Sequence, residues 1–158
     1  MLFSVVFGII ILYYQLFKAG DLSIWGVSPN LLIAYSAYLG AYQEEKWSLP
    51  LLFFLGVAYD LMTPDTLGIN TLLLLLICWT TNFLRKRIME PKLVSVAILS
   101  LVYNFFYYLI FGLYYSIQTE NMSFIFLPFI LSMIINTVIS VIMFYFLYLI
   151  SHLKIILR

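Results

Sequence analysis

The stretch LVSVAILSLVYNFFYYLIFGLYYSI, Leu93 to Ile117, sets the scale of this chain. It is one apolar segment, and it exceeds the ~20 residues a helix needs to cross the ~30 Å hydrocarbon core of a bilayer. Five more apolar segments flank it. On the N-terminal side they run about Leu2 to Phe17, Asn30 to Tyr42, Leu49 to Leu61 and Gly68 to Leu84. On the C-terminal side one runs about Phe124 to Ile150, with Pro128 in its first turn, where proline is tolerated. Pro29 opens the second segment and Pro64 follows the third. These two are shorter than a typical span. They form either a tight hairpin with partly buried ends or spans in a locally thinned bilayer.

Composition points the same way. Of 158 residues, 65% are hydrophobic and 9% charged, against about 25% charged in a soluble domain. So few charges leave too little polar surface to clothe a water-soluble globule, whereas lipid solvates an apolar exterior. The aromatic share of 19% includes the Tyr and Trp that favour membrane interfaces. The expected fold is all-α: a polytopic membrane protein of six transmembrane helices forming a single domain over residues 1–158. The N-terminus lacks a basic leader region and a small-residue cleavage site, so Leu2 to Phe17 reads as a retained first span. A lone cysteine, Cys78, forms no intrachain disulfide. The net charge of +1 gives no ground for a nucleic-acid partner.

Basic residues set the orientation. Arg85, Lys86, Arg87 and Lys92 form the one strong positive cluster, which the positive-inside rule places in the cytoplasm. Alternating from there, Lys46, Lys154 and Arg158 also fall inside and only Lys18 falls outside, so 7 of the 8 Lys and Arg are cytoplasmic. Both termini are then cytoplasmic. The connections Lys18 to Ser28, Met62 to Leu67 and Gln118 to Ser123 face outward.

Catalytic chemistry finds few candidates. His152 is the single histidine and is expected in a cytoplasmic tail beside Lys154. Cys78 stands alone in an apolar run, and no Cys/His cluster has metal-ligand spacing. The chain therefore reads as a non-enzyme with no cofactor. Polar residues inside spans are costly and point to function by default. Asp60, Asn104 and Asn136 are the foremost, and together they outline a possible intramembrane pocket. For Asp60 two readings stand: a ligand or partner contact, or a cap for free backbone N–H groups where Pro64 breaks the chain. The cap is favoured. Asp65 and Thr66 are placed to cap the fourth segment.

Asn104 and Asn136 are expected to hydrogen-bond neighbouring helices; Gln15, Asn70 and Asn82, nearer segment ends, are weaker signals. Small residues at Ser4 and Gly8, and at Gly40 and Ala41, suit close helix contacts. The tyrosines from Tyr103 to Tyr108 either line a cavity or pack, and Tyr114 and Tyr115 suit an outer aromatic belt. Arg85, Lys86 and Arg87 suit anionic lipid headgroups, topology setting or a cytoplasmic partner.

The motifs also form an ordered set. Pro29-Asn30-Leu31-Leu32 opens a span, Gly56-Val57-Ala58-Tyr59-Asp60-Leu61 follows, and then come Pro64, Leu67-Gly68-Ile69-Asn70 and a leucine run. Over about Pro29 to Leu84 this resembles the bacterial rod shape-determining family MreD. That family has P-[DN]-L-L, G-x-x-x-D-L and P-x-x-L-G-x-x-[AT] stretches. Asn70 stands where the family usually has histidine or a similar residue.

The resemblance implies a non-catalytic scaffold of the bacterial cytoplasmic membrane, serving cell elongation and peptidoglycan synthesis. Its implied partners are an MreC-like protein, the actin-like MreB, and the glycosyltransferase and transpeptidase of wall elongation. Asp60, Asp65, Gly68 and Asn70 on the outer side, with Arg85, Lys86 and Arg87 inside, are the expected partner-binding residues. The family is also thought to share its six-helix fold with the substrate-binding S-components of energy-coupling-factor vitamin transporters. The alternative function is therefore such a subunit. S-components dock their coupling subunit through small residues on the first span, and here that span offers only Ser4 and Gly8.

Overall fold

A computed structural model describes residues 2–18, 20–21, 28–63, 68–87, 93–119 and 126–156. These form six helices and, among the described residues, no strand: α1 Leu2–Phe17, α2 Leu31–Tyr42, α3 Glu45–Met62, α4 Ile69–Arg87, α5 Leu93–Thr119 and α6 Phe126–Ile156. All six expected segments are helical, and the deviations lie at their polar ends. Helix α3 starts at Glu45, four residues before the apolar run, and Glu45 complements the positive end of the helix dipole. Helix α4 carries Arg85 and Lys86 on its last turn because both find partners on neighbouring elements. Helix α6 continues to Ile156, so His152 belongs to a helix rather than a free tail. The 18 residues of α3 rise about 27 Å, which leaves α2, with 12 residues and about 18 Å, as the short element.

By length and composition, Ile130–Ile150 within α6 is apolar and long enough to cross a membrane unaided. Phe3–Phe17, Leu31–Tyr42 and Ile98–Tyr114 are shorter apolar helices.

Helix α2 is the hub. It packs against α1, α3, α4, α5 and α6, while α3 lies along α4 and α5 along α6. Every residue from Leu32 to Ala41 is buried. Such surrounding requires small side chains where backbones approach. At Gly40, an added Cβ would stand 2.5 Å from the Cys78 carbonyl oxygen of α4 and 2.9 Å from Thr81 Cβ. At Gly8 of α1 it would meet Leu55 Cδ1 at 2.8 Å and the Tyr35 ring at 3.2 Å. Both small-residue pairs noted in the sequence therefore mark close helix contacts.

The bundle is apolar outside as well as in its core. Large apolar side chains are exposed in helical stripes: Val6, Ile9, Tyr13 and Phe17 on α1, and Ile130, Ile134, Val138 and Ile142 on α6. Polar side chains such as Gln15, Asn82, Asn104, Asn136 and Ser140 are buried. Without water at hand, polar groups must satisfy one another internally, and this requirement shapes the candidate site.

Candidate functional site

Gly68 precedes helix α4 with φ 87°, and its carbonyl accepts Leu72 N–H at 3.1 Å. The N–H groups of a helix's first turn have no partner within the helix, and glycine offers no side chain to take them. Asp60, two residues before the end of α3, supplies a cap from outside the helix. Its Oδ2 accepts Thr71 N–H at 2.9 Å and the Thr71 hydroxyl. Its Oδ1 accepts Asn70 Nδ2 at 2.9 Å. Asn70 Oδ1 in turn accepts the Tyr107 hydroxyl of α5 at 2.7 Å. Asp60 is 2% exposed and is the one buried charged residue among those described. Its carboxylate sits at the positive end of the α4 dipole. The capping reading of Asp60 is thus the one the geometry supports, with α4 receiving the cap.

Gly56 explains the spacing of this motif. One turn before Asp60 on the same face of α3, it brings the backbones together: an added Cβ would stand 2.7 Å from Thr71 Cα. Gly56 admits Thr71, and Asp60 then reaches the same residue.

A second cluster adjoins the first at the N-terminus of α2. Asn30 caps that helix by accepting Leu32 N–H at 3.2 Å. Asn30 N–H donates to Asn136 Oδ1 of α6, and Leu31 N–H donates to Gln15 Oε1 of α1 at 2.9 Å. Asn136 Nδ2 also donates to the Tyr108 hydroxyl. The Tyr107 and Tyr108 rings meet edge to face, 5.3 Å between centroids, which links the two clusters. All six helices contribute to this polar layer.

The opposite end of α2 is built differently. Arg85 Nη1 donates to the Ala41 carbonyl at 2.9 Å, and Asn82 Nδ2 donates to the Gln43 carbonyl at 3.3 Å. Gln43 Nε2 donates to the Ser4 hydroxyl, and the Tyr35 hydroxyl donates to the Ser4 carbonyl. At the rim Lys86 pairs with Glu45 at 3.0 Å and Lys46 with Glu44 at 2.6 Å. The hydrogen bond and charge of Lys46 hold the Glu44 carboxyl below the usual carboxylate range.

The expected site residues thus fall into several places. Asp60, Asn70 and Gly68 come together, and Asn136 joins them through the layer. Asn104 bonds elsewhere, to the Ser100 carbonyl at 2.8 Å and the Ser140 hydroxyl at 3.4 Å. Asp65 and Thr66 lie outside the described residues, as does the side chain of Arg87. Thr71 stands at the last position of the P-x-x-L-G-x-x-[AT] stretch, which gives its side chain no role, and no motif residue marks Tyr59 or the capping role of Arg85. Tyr59 lies within reach of Gln15, and Tyr107 and Tyr108 of the tyrosine run supply phenols to the layer. Both Asp60 oxygens are engaged by the protein itself, so the cluster acts as an interhelical clamp.

Comparison with curated proteins and with solved structures gives no match. A family model does match: that of the rod shape-determining protein MreD, over residues 1–153. That span takes in all six helices but the last residues of α6, and the chain belongs to the MreD family.

Proposed function

We propose that this chain is a multi-pass scaffold of rod-shape determination in the bacterial cytoplasmic membrane, binding an MreC-like partner of the wall-elongation machinery. The family match across the helical bundle carries this reading. Membership alone makes the chain a membrane-associated, shape-determining protein. The finer elements belong to the proposal: six spans, both termini cytoplasmic, a fold like the S-components, and MreB and the wall-synthesis enzymes in the same assembly.

The polar groups support a scaffold. In the polar layer they hold helices to one another, which leaves lipid-facing stripes, short connections and the basic end for partners. Asp60 and Asn70 brace the start of α4, so the outward connection that carries Asp65 and ends at Gly68 leaves from a fixed point. Asp65 and Gly68 are then the outer contact, with Asp60 and Asn70 positioning it.

The test is a pull-down of the tagged chain from native membranes in mild detergent, with partners identified by mass spectrometry. An MreC-like protein is the expected companion. A coupling subunit with ATPases and no MreC-like protein would replace this reading with the transporter one. If Asp60→Asn with Asp65→Asn leaves both complex yield and cell shape unchanged, the outer assignment is wrong.

A further inference from the structure

On the outer face of the α3–α4 pair lies an apolar cleft of about 530 Å³ lined by Leu49, Pro50, Phe53, Leu75, Leu76 and Trp79, among others. Its volume lies in the range of small-molecule sites, about 300–1,000 Å³. Both walls lead to a cation at the same end. On α3, Lys46, Leu49, Pro50 and Phe53 recur at three- and four-residue spacing; on α4, Leu76, Trp79, Phe83 and Lys86 do the same. Residues so spaced share a helix face. Lys86 also reaches across to Glu45 of α3 at 3.0 Å, which ties the two walls together at this end. Phe53 lies seven residues from Lys46, about 10 Å along the axis. The cleft therefore begins within two turns of the basic level.

Both lysines are well exposed, with side chains 67% and 61% accessible. This end of the two helices carries four basic residues, Lys46, Arg85, Lys86 and Arg87, against the two acidic Glu44 and Glu45.

We propose that this cleft holds one acyl chain of an anionic phospholipid whose phosphate is held at Lys46 and Lys86. The chemistry selects a lipid over a partner helix. Packed transmembrane helices meet through small residues, and the six lining residues named are all leucine, proline or aromatic. The inference rests on the membrane placement proposed above, not on the identity of the protein partner.

Trp79 lines the cleft, and Trp25 and Trp47 are the other tryptophans. The full-length chain with Trp25→Phe and Trp47→Phe, reconstituted in phosphatidylcholine bilayers, reports the cleft by fluorescence. Phosphatidylglycerol with brominated acyl chains should quench Trp79 with an apparent affinity at least about five-fold above that of brominated phosphatidylcholine, since each basic residue near an anionic surface contributes about that factor. Lys46→Gln with Lys86→Gln should abolish that preference while leaving quenching by phosphatidylcholine intact. A control reporter, Phe146→Trp on α6 in a background with Trp79→Phe, should be quenched equally by both lipids. Equal quenching of Trp79 by the two lipids overturns the proposal in favour of unselective boundary lipid. Quenching at position 146 but not at Trp79 overturns it in favour of a protein segment covering the cleft. No quenching at either position overturns it together with the membrane placement. An MreC-like partner would remain testable by pull-down in each case.

Discussion

The two ends of α2 meet one problem with different chemistry. A short, fully surrounded helix must satisfy its free N–H groups at one end and its free carbonyls at the other. At the N-terminal end Asn30, Gln15 and Asn136 take up backbone N–H groups, and Asp60 does the same for α4 alongside. At the C-terminal end an arginine and an asparagine of α4 reach the carbonyls of Ala41 and Gln43, beside ion pairs that are open to solvent. The contrast teaches where water is available. Amides, phenols and one carboxylate close the layer that water does not reach. Long cations cap from the rim, where part of the side chain stays solvated.

The largest effect should come from breaking the closed layer at Asp60. Asp60→Ala strips Thr71 N–H, the Thr71 hydroxyl and Asn70 Nδ2 of their acceptor at once. Each buried donor left unpaired costs about 1–3 kcal/mol, so a loss of about 3 kcal/mol or more is expected in thermal or denaturant unfolding of the detergent-solubilised protein. Asp60→Asn keeps the shape and one acceptor oxygen, and should lose roughly half as much. If Asp60→Ala melts with the wild type, Asp60 is not a structural cap, and a ligand or partner role regains its claim on the residue.

Next come the close approaches that let the caps reach. Gly56→Ala puts a methyl group 2.7 Å from Thr71 Cα, and Gly40→Ala puts one 2.5 Å from the Cys78 carbonyl. Backbone atoms cannot swing aside as side-chain ends do, so each should cost about 1–3 kcal/mol. Gly20 has nothing within 4 Å of an added Cβ, and Gly20→Ala should fall within about 0.5 kcal/mol of wild type. The comparison sharpens if Gly56→Ala combined with Asp60→Ala costs less than the sum of the two, since both act on Thr71.

These residues also show how far the sequence could be read. The six helices were legible because apolar runs broken by Pro29, Pro64 and the basic cluster leave few other ways to divide the chain. Asp60 was legible because a carboxylate in such a run needs a reason. Its capping role was legible too, but not the helix it caps, because Asp65 and Thr66 stand nearer to α4 in sequence. The central position of α2 left no trace beyond its small residues. Periodicity exposes a helix with one buried face, and a helix buried all round has none to expose. Gln15 and Asn70 read only as weak signals for a related reason. Near the end of an apolar segment, a polar residue reads equally well as solvated surface. The basic ends of α3 and α4 read as short because hydropathy stops at the first charge, whereas Glu45, Arg85 and Lys86 are helical and partnered.

The smallest effect should come from the open end. Arg85→Ala removes the donor to the Ala41 carbonyl, 2.9 Å away, but Arg85 is itself exposed, so water can take its place. The Gln43 carbonyl keeps its bond from Asn82. A loss of about 0.5–1.5 kcal/mol is expected, measured in the same unfolding assay as Asp60→Ala. Arg85→Lys should recover part of it, because a lysine of similar length restores a cation near the negative end of the α2 dipole without the planar fork. High salt should weaken the contribution of Arg85 and leave that of Asp60 nearly unchanged, since exposed charges are screened and buried ones much less so. If Arg85→Ala proves as costly as Asp60→Ala, water does not reach the C-terminal end of α2. The division between a dry layer and a solvated rim would then fail, and with it the reason for finding a capping cation at one end of α2 and none at the other.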